Sequence, residues 1–248
     1  MKRKISLFPV PYGDIPKDAI VVVIDVIRAT STITTFFGEG GEALFIVEKV
    51  EEAFSLKKSL PYRAYIAGER GGEKVEGFDF DNSPLHIKNA NLSNKILILT
   101  TTNGTRVIKK YSDVRHLFVG SLLNFKPLVN VIVTLSNEEG LDIYLVCAGK
   151  DKTFIIDDFL CGGAYIKGLL EKDDFELRDS ARISYEYYKL KQDDIKKCLL
   201  ESESGRNILR FGKRDDIEFL AQMDVYNTVP YLFDRDRLLL KDFLKRER

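Results

Sequence analysis

Three short apolar runs in this chain each stop at a turn of small and polar residues, and that pattern constrains the fold more than any other feature. Val21-Val22-Val23-Ile24 leads into Asp25-Val26-Ile27-Arg28-Ala29-Thr30-Ser31-Thr32. Ile96-Leu97-Ile98-Leu99 leads into Thr100-Thr101-Thr102-Asn103-Gly104-Thr105-Arg106, and Ile143-Tyr144-Leu145-Val146 into Cys147-Ala148-Gly149-Lys150. Apolar runs of this length, bounded by turn residues, predict buried strands. The hydroxyl and amide residues after the first two predict helix starts. Open α/β sheets bind ligands at the carboxyl ends of their strands. Backbone N–H groups at a helix start, at the positive end of its dipole, suit anions. Two such turns in one sheet point to a small, strongly anionic substrate.

The rest of the chain reads as α/β. Lys4–Phe8 predicts a first strand, ended by Pro9 and Pro11, and Ala19–Asp25 a central second strand. A helix over about 30–37, a strand over 41–47 and a helix over 50–58, ended near Pro61, follow. Ala64–Ala67 predicts a strand that opens into Gly68-Glu69-Arg70-Gly71-Gly72. Residues 73–91 show no period and predict a long irregular loop, which in a compact domain is usually functional. The run at 96–99, a helix near 107–111 and a strand at 116–119 make a second βαβ unit. We read its likeness to the first as the common rhythm of α/β folds in preference to an internal duplication. Next come a helix from about 120, interrupted or kinked near Pro127, a strand over 141–146 and a helix over 157–170. From Asp179 onward the pattern is mostly helical, and a last helix is expected over 235–245, packed on the body or swapped into a partner. The whole reads as one α/β domain over residues 1–248, or as two similar intertwined lobes of about 1–120 and 121–248.

Composition narrows the function classes. Thirty-eight basic residues balance thirty-eight acidic ones, which argues against nucleic acid and anionic membranes as partners. The basic cluster Lys245-Arg246-Glu247-Arg248 reads as a solvated helix end. No apolar stretch is long enough to span a bilayer, and the prolines after the basic N-terminus argue against a signal peptide. Cys147, Cys161 and Cys198 form no CxxC pair, so we expect no disulfide framework and a cytoplasmic protein. Cys147 and Cys161 are expected to be buried and inert. The only histidines, His86 and His116, do not stand at a metal-binding spacing, which leaves little for a Ser-His-Asp or zinc-hydrolase reading.

Several local constellations carry chemistry. Asp25 at a strand end can bind a metal or attack phosphorus, and Arg28 can grip phosphoryl oxygens in a two-pronged fashion. An Asp cap beside a surface arginine is the plain alternative. The second aspartate of the DxDxT phosphatase pattern is missing. In Gly68–Gly72 the glycines let backbone approach a ligand; a tight hairpin turn with an exposed ion pair is the alternative. Gly77–Pro84 reads by itself as a turn. Thr100–Arg106 is the strongest local signal, with many donors for oxyanions but no P-loop pattern. Asp157-Asp158 fits either a dipole-favoured helix start or a metal ligand.

Taken together, DVIRATST (25–32), GERGG (68–72), EGFDFDNSP (76–84) and TTTNGTR (100–106), followed by CAG (147–149), Asp157-Asp158 and the tail to about 230, resemble the 2-phosphosulfolactate phosphatase family. Asp81 stands where that pattern has glycine, Asp157 where glutamate is usual and Gly162 where alanine is common. The resemblance implies a three-layer α/β/α fold with a mixed sheet. It also implies a Mg²⁺-dependent phosphatase that converts 2-phospho-3-sulfolactate to 3-sulfolactate and phosphate in the route to coenzyme M. On this reading Asp25, Arg28 and Asp158 are catalytic, and Asp25, Asp158 and Glu69 hold the metal. Thr30, Ser31, Glu69, Arg70, Gly71, Gly72, Asn82, Ser83, Thr101, Thr102, Asn103, Gly104, Thr105 and Arg106 bind the substrate. Arg28, Arg70 and Arg106 are the expected cations around a polyanion. The attacker is either water or Asp25 itself. A phosphatase for another 2-phospho-acid and a non-catalytic sensor of an anionic metabolite are the alternatives. The helical tail is compatible with a homodimer.

Overall fold

The apolar runs become strands buried on both faces, and their pairing sets the architecture. In the computed structural model, which describes residues 2–60 and 64–245, the strands are β1 (Lys4–Phe8), β2 (Ile20–Ile24), β3 (Ala43–Ile46), β4 (Ala64–Arg70), β5 (Glu73–Lys74), β6 (Ile96–Thr100), β7 (His116–Gly120), β8 (Ile143–Cys147), β9 (Glu176–Leu177), β10 (Pro230–Asp234) and β11 (Leu239–Asp242). The helices are α1 (Ala29–Gly38), α2 (Val50–Ser59), α3 (Pro84–Asn89), α4 (Gly104–Lys110), α5 (Phe125–Glu139), α6 (Ile156–Leu170), α7 (Asp179–Lys191), α8 (Ile195–Glu201), α9 (Glu203–Arg210) and α10 (Arg214–Leu220).

The strands form one mixed sheet in the order β5-β4-β6-β3-β11-β10-β7-β2-β8-β1-β9. It holds two parallel blocks, β4-β6-β3 and β7-β2-β8-β1-β9, joined by the hairpin β10–β11. The pairings β3–β11, β11–β10 and β10–β7 are all antiparallel, so the two blocks run in opposite senses. Strands from either side of residue 120 are thus hydrogen-bonded in the same sheet.

Every residue of β2 is apolar because each face meets a different core. Ile20, Val22 and Ile24 pack with apolar residues of α5, α6 and α7. Val21 and Val23 join Leu97 and Leu99 of the other block, together with Ile33, Phe36 and Phe37 of α1 and Val107 and Ile108 of α4. Ala53 of α2 covers Ile66 and Ile98 on the remaining face. Helices therefore flank a mixed sheet, the α/β/α class that the resemblance implied. Gly163 lets α7 approach α6: a Cβ there would stand 2.2 Å from the Ser184 carbonyl oxygen.

Four expectations change. The helix expected over 235–245 is the second half of a hairpin plus a short 3₁₀ turn at Phe243–Lys245. Short apolar runs such as Leu238-Leu239-Leu240 suit either element, and here pairing of β11 with β3 fills the gap between the two blocks. The stretch 73–91 is not irregular throughout. It holds β5 and α3, and α3 is started by Pro84 and by the Ser83 hydroxyl, which accepts from the His86 N–H. Pro127 neither kinks nor interrupts α5, because it sits in the first turn, where a missing N–H costs nothing. Strand β4 runs on through Arg70, so Gly71 and Gly72 form the turn of the β4–β5 hairpin.

The expected end of α2 near Pro61, Met1, and Arg246–Arg248 of the basic cluster lie outside the described residues. Among the described residues no helix is long and apolar enough to cross a membrane. All three cysteines are free and buried, and burial pushes the Cys147 and Cys161 thiols well up.

Candidate active site

The carboxyl ends of β2 and β8 from one block and of β4 and β6 from the other meet at a cavity of about 280 Å³. Asp25, Arg28, Glu69, Gly71, Gly72, Asn82, Thr101, Thr102, Asn103 and Asp158 all line it. Ten of the sequence-predicted residues, from five separate segments, thus share one wall.

The turns expected to bind anions hold the chain's own carboxylates. Asp25 follows β2 directly; its Oδ1 accepts from the Ala29 N–H at the start of α1 (3.3 Å), and the Gly104 N–H at the start of α4 also reaches its carboxylate. Asp158, in the first turn of α6, accepts from Val26 N–H (2.8 Å) on Oδ1 and from Gly149 N–H (3.1 Å) on Oδ2. Glu69 Oε1 accepts from Thr102 N–H (2.7 Å), and Oε2 accepts from Gly72 N–H (2.8 Å) and the Thr102 hydroxyl (3.2 Å). Backbone donors from four turns thus fix the three carboxylates, and the β2–α1 and β6–α4 turns each serve two of them.

Burial and neighbouring acidic charge raise the carboxyls of this cluster. Burial, with the charges of Asp157 and Glu69, pushes Asp25 up to about 7. Burial also pushes Asp157 up to about 6, and burial with the charges of Asp157 and Asp25 holds Asp158 well above the ordinary range. The cations on the cavity wall are already engaged. Arg28 Nη1 pairs with Asp216 Oδ2 (2.9 Å) and Nη2 donates to the Gly72 carbonyl (3.3 Å); Lys150 pairs with Glu203 (3.2 Å). The peptide between Ile27 and Arg28 is cis.

Other predicted residues stand behind the wall. Thr30 exchanges hydrogen bonds with the Asp25 backbone, and the Ser31 hydroxyl donates to the Val26 carbonyl (2.8 Å), so both shape the β2–α1 turn. Thr105 caps against Thr101, and Gly104 packs on Asp25. Ser83 donates to Asp216 (2.6 Å). Arg70 and Arg106 do not line the cavity, which corrects the expectation of three guanidinium groups around one anion. Arg70 is spent on the Glu69 and Glu48 carbonyls and the Thr100 hydroxyl. Arg106 is exposed and opens on a neighbouring depression beside Lys110.

Asp81, the charged departure from the family pattern, is also absent from the cavity wall. Burial would raise it, but His86, Arg28 and Lys213 together outweigh burial and hold it below the ordinary range. It therefore adds no uncompensated charge to the site.

Sequence reasoning missed the far side of the cavity. Ser204, Asn207 and Ile208 of α9, Gly149, Lys150 and Asp151 after β8, and Ile27 complete the lining. Helix α9 is docked by Ser202, whose hydroxyl donates to Asp157 Oδ2 (2.9 Å) and accepts from Gly205 N–H (2.9 Å). The buried Asp157 was the only local sign of this docking.

Oxygen donors dominate any cation site here. Asn82 Oδ1 is buried without a hydrogen-bond partner among the described residues, beside a cavity lined by Asp25, Glu69 and Asp158. That donor chemistry fits a hard cation such as Mg²⁺. Among the described residues no three His, Cys, Asp or Glu side chains form a ready-made cage. The fit is to an ion held by one or two carboxylates that completes its shell with water and substrate oxygens.

The family model for 2-phosphosulpholactate phosphatase matches residues 10–235. A relative described as a probable 2-phosphosulfolactate phosphatase from Carboxydothermus hydrogenoformans is 37% identical over 214 residues, 86% of each chain. Relatives with the same description from Clostridium acetobutylicum (38% over 215 residues, 86% of this chain and 89% of the relative) and Thermotoga maritima (37% over 222 residues, 90% and 92%) also match. The matched span includes every turn that lines the cavity, and the chain belongs to the 2-phosphosulpholactate phosphatase family.

Proposed function

We propose that this chain is a phosphoric monoester hydrolase that releases phosphate from 2-phospho-3-sulfolactate, with Mg²⁺ as its cofactor, in the cytoplasm and in the route to coenzyme M. The observation that carries the proposal is the meeting of Asp25, Glu69 and Asp158 with Arg28 on one cavity. Four carboxyl groups (Asp25, Glu69, Asp151 and Asp158) line the cavity and both wall cations are already paired, so a multivalent cation entering with a polyanionic ester would offset the negative charge gathered there. When bound by Asp25 with Asp158 or Glu69, Mg²⁺ would polarise the phosphoryl group and offset its charge.

The chain's own residues supply the rest. Arg28 keeps guanidinium N–H groups beyond the two engaged by Asp216 and Gly72, enough for a two-pronged grip on phosphoryl oxygens. Thr101 and Asn103 face the same space from the β6 turn, and Asn207 and Ser204 face it from α9. Asn207 offers a neutral donor to the substrate's non-reacting acidic groups, while the Ser204 hydroxyl is engaged by Asp157. Asp25, buried and held by two helix starts, is placed either to take the phosphoryl group or to hold the attacking water. Borohydride trapping during turnover separates these routes: reduction of Asp25 to homoserine marks the covalent acyl-phosphate, and an unmodified Asp25 marks attack by water.

The proposal is tested by phosphate release from phosphosulfolactate, phospholactate and phosphoglycolate, with Mg²⁺ and then with excess chelator. Release from phosphosulfolactate that stops with chelator is expected. Release that ignores chelator removes the metal, and no release from any of the three removes the reaction class.

A further inference from the structure

Arg28 lines the cavity, where its Nη2 donates to the Gly72 carbonyl, yet the carboxylate that pairs with it lies outside. Asp216, in α10, is 2% exposed, and neither of its oxygens reaches the cavity wall. Oδ2 accepts from Arg28 Nη1 at 2.9 Å, and Oδ1 accepts from the Ser83 hydroxyl at 2.6 Å. Ser83 is itself fixed, because its oxygen caps α3 by accepting from the His86 N–H. Residues 28, 83 and 216 thus form one buried relay across three segments.

The second carboxylate near Arg28 does not do this work. Asp81 Oδ2 stands 4.0 Å from Nη1, beyond hydrogen-bond range. Its oxygens are occupied by Lys213 (3.2 Å), His86 (2.6 Å) and the Ser83 N–H (3.1 Å). A buried ion pair is a poor stabiliser, since desolvation offsets most of its attraction. Its value here lies in geometry: a guanidinium is a rigid fork, and a carboxylate on one nitrogen fixes which N–H groups point into the cavity.

We propose that Asp216 is a positioning residue that acts through Arg28, so that α10 at the end of the helical tail sets the grip on the phosphoryl group. This rests on the reading in which Arg28 holds that group. Asp216 touches neither substrate nor cation; it holds the residue that does.

The test compares Asp216→Asn, Ser83→Ala, Arg28→Ala and the double variant Arg28→Ala/Asp216→Asn in phosphate release, with melting curves for each. Glu218→Gln, exposed on the same helix, is the control and keeps wild-type values. Misplacing a group by ~1 Å at such a site costs about 100-fold, so Asp216→Asn is expected to lower kcat/KM about 100-fold. Calorimetric binding of inorganic phosphate should weaken in parallel. Ser83→Ala keeps the charge but frees one oxygen of Asp216, and about a tenfold loss is expected, the size of one hydrogen bond to a charged group. It carries the test if Asp216→Asn does not fold. In the Arg28→Ala background Asp216→Asn should add nothing. Equal losses with and without Arg28, or a folded Asp216→Asn or Ser83→Ala with unchanged kcat and KM, overturn the inference. A wild-type protein that releases no phosphate overturns the functional reading instead.

Discussion

Gly104→Ala adds one methyl group where the structure has no room for it. A Cβ at Gly104 would stand 2.6 Å from Ala29 Cβ and 2.7 Å from Asp25 Oδ2. Unstrained carbon contacts lie near ~3.5 Å, so the two helix starts or the Asp25 carboxylate must give way by almost ~1 Å. Neither neighbour is the far end of a flexible chain: Ala29 opens α1, and Asp25 is held by the Ala29 and Gly104 N–H groups. A displacement of that size costs about 100-fold in rate, equal to about 2.7 kcal/mol of barrier. Stability responds differently, because two effects oppose. Overpacking costs ~1–3 kcal/mol, while alanine is favoured over glycine in a helix by about 1 kcal/mol. The net loss is between about zero and 2 kcal/mol, a fall in Tm of no more than ~8 °C for a chain of this size. Phosphate-release kinetics and calorimetric melting on the same preparation read both quantities. The expected result is a large fall in kcat/KM with a modest fall in Tm. A variant with kcat/KM within about twofold of wild type would refute the claim that close packing of the two helix starts fixes Asp25.

Two further predictions address other walls of the site. Asn207→Leu should raise KM for phosphosulfolactate far more than it lowers kcat, because α9 faces the substrate away from the reacting centre; steady-state kinetics on phosphosulfolactate and phosphoglycolate check this, and equal effects on both substrates contradict it. Asp81 is held below the ordinary carboxylate range once folded, so its charged form stabilises the protein above that range and the contribution is lost as pH falls through its folded value. Asp81→Asn should therefore flatten the fall of Tm below about pH 4, measured by melts from neutral to acid pH; an unchanged acid limb counts against the pairing with His86, Arg28 and Lys213.

The strands that frame the site were legible because a strand buried on both faces must be apolar along its whole length. Their ends were legible because turn and cap residues interrupt that run. Asp25, Glu69 and Asp158 reach one cavity as the local chemistry had indicated. The direction of each side chain was not legible. Arg70 and Arg106 carry the right charge in the right segments, yet one satisfies backbone carbonyls and the other faces outward. The hydroxyl-rich turn at 100–106 advertises donors, but its residue types do not say that Glu69 and Asp25 take them. Nor does the polar surface of α9 mark Ser204 and Asn207, since their placement depends on a helix docked through Ser202 and Asp157, 45 residues apart. The hairpin β10–β11 escaped for a related reason: its pairing partners, β7 and β3, lie more than a hundred residues away in sequence.

Turns from two oppositely running strand blocks form one site, where the proposed divalent cation would let a phosphate group rest among carboxylates. Diffraction from crystals grown with Mn²⁺ and inorganic phosphate, recorded at the manganese edge, reads this directly. An anomalous peak against Asp25 and at least one of Asp158 and Glu69, with phosphate on Arg28, is the predicted result. Manganese outside the cavity, or phosphate held by Arg106 and Lys110 instead, would contradict it.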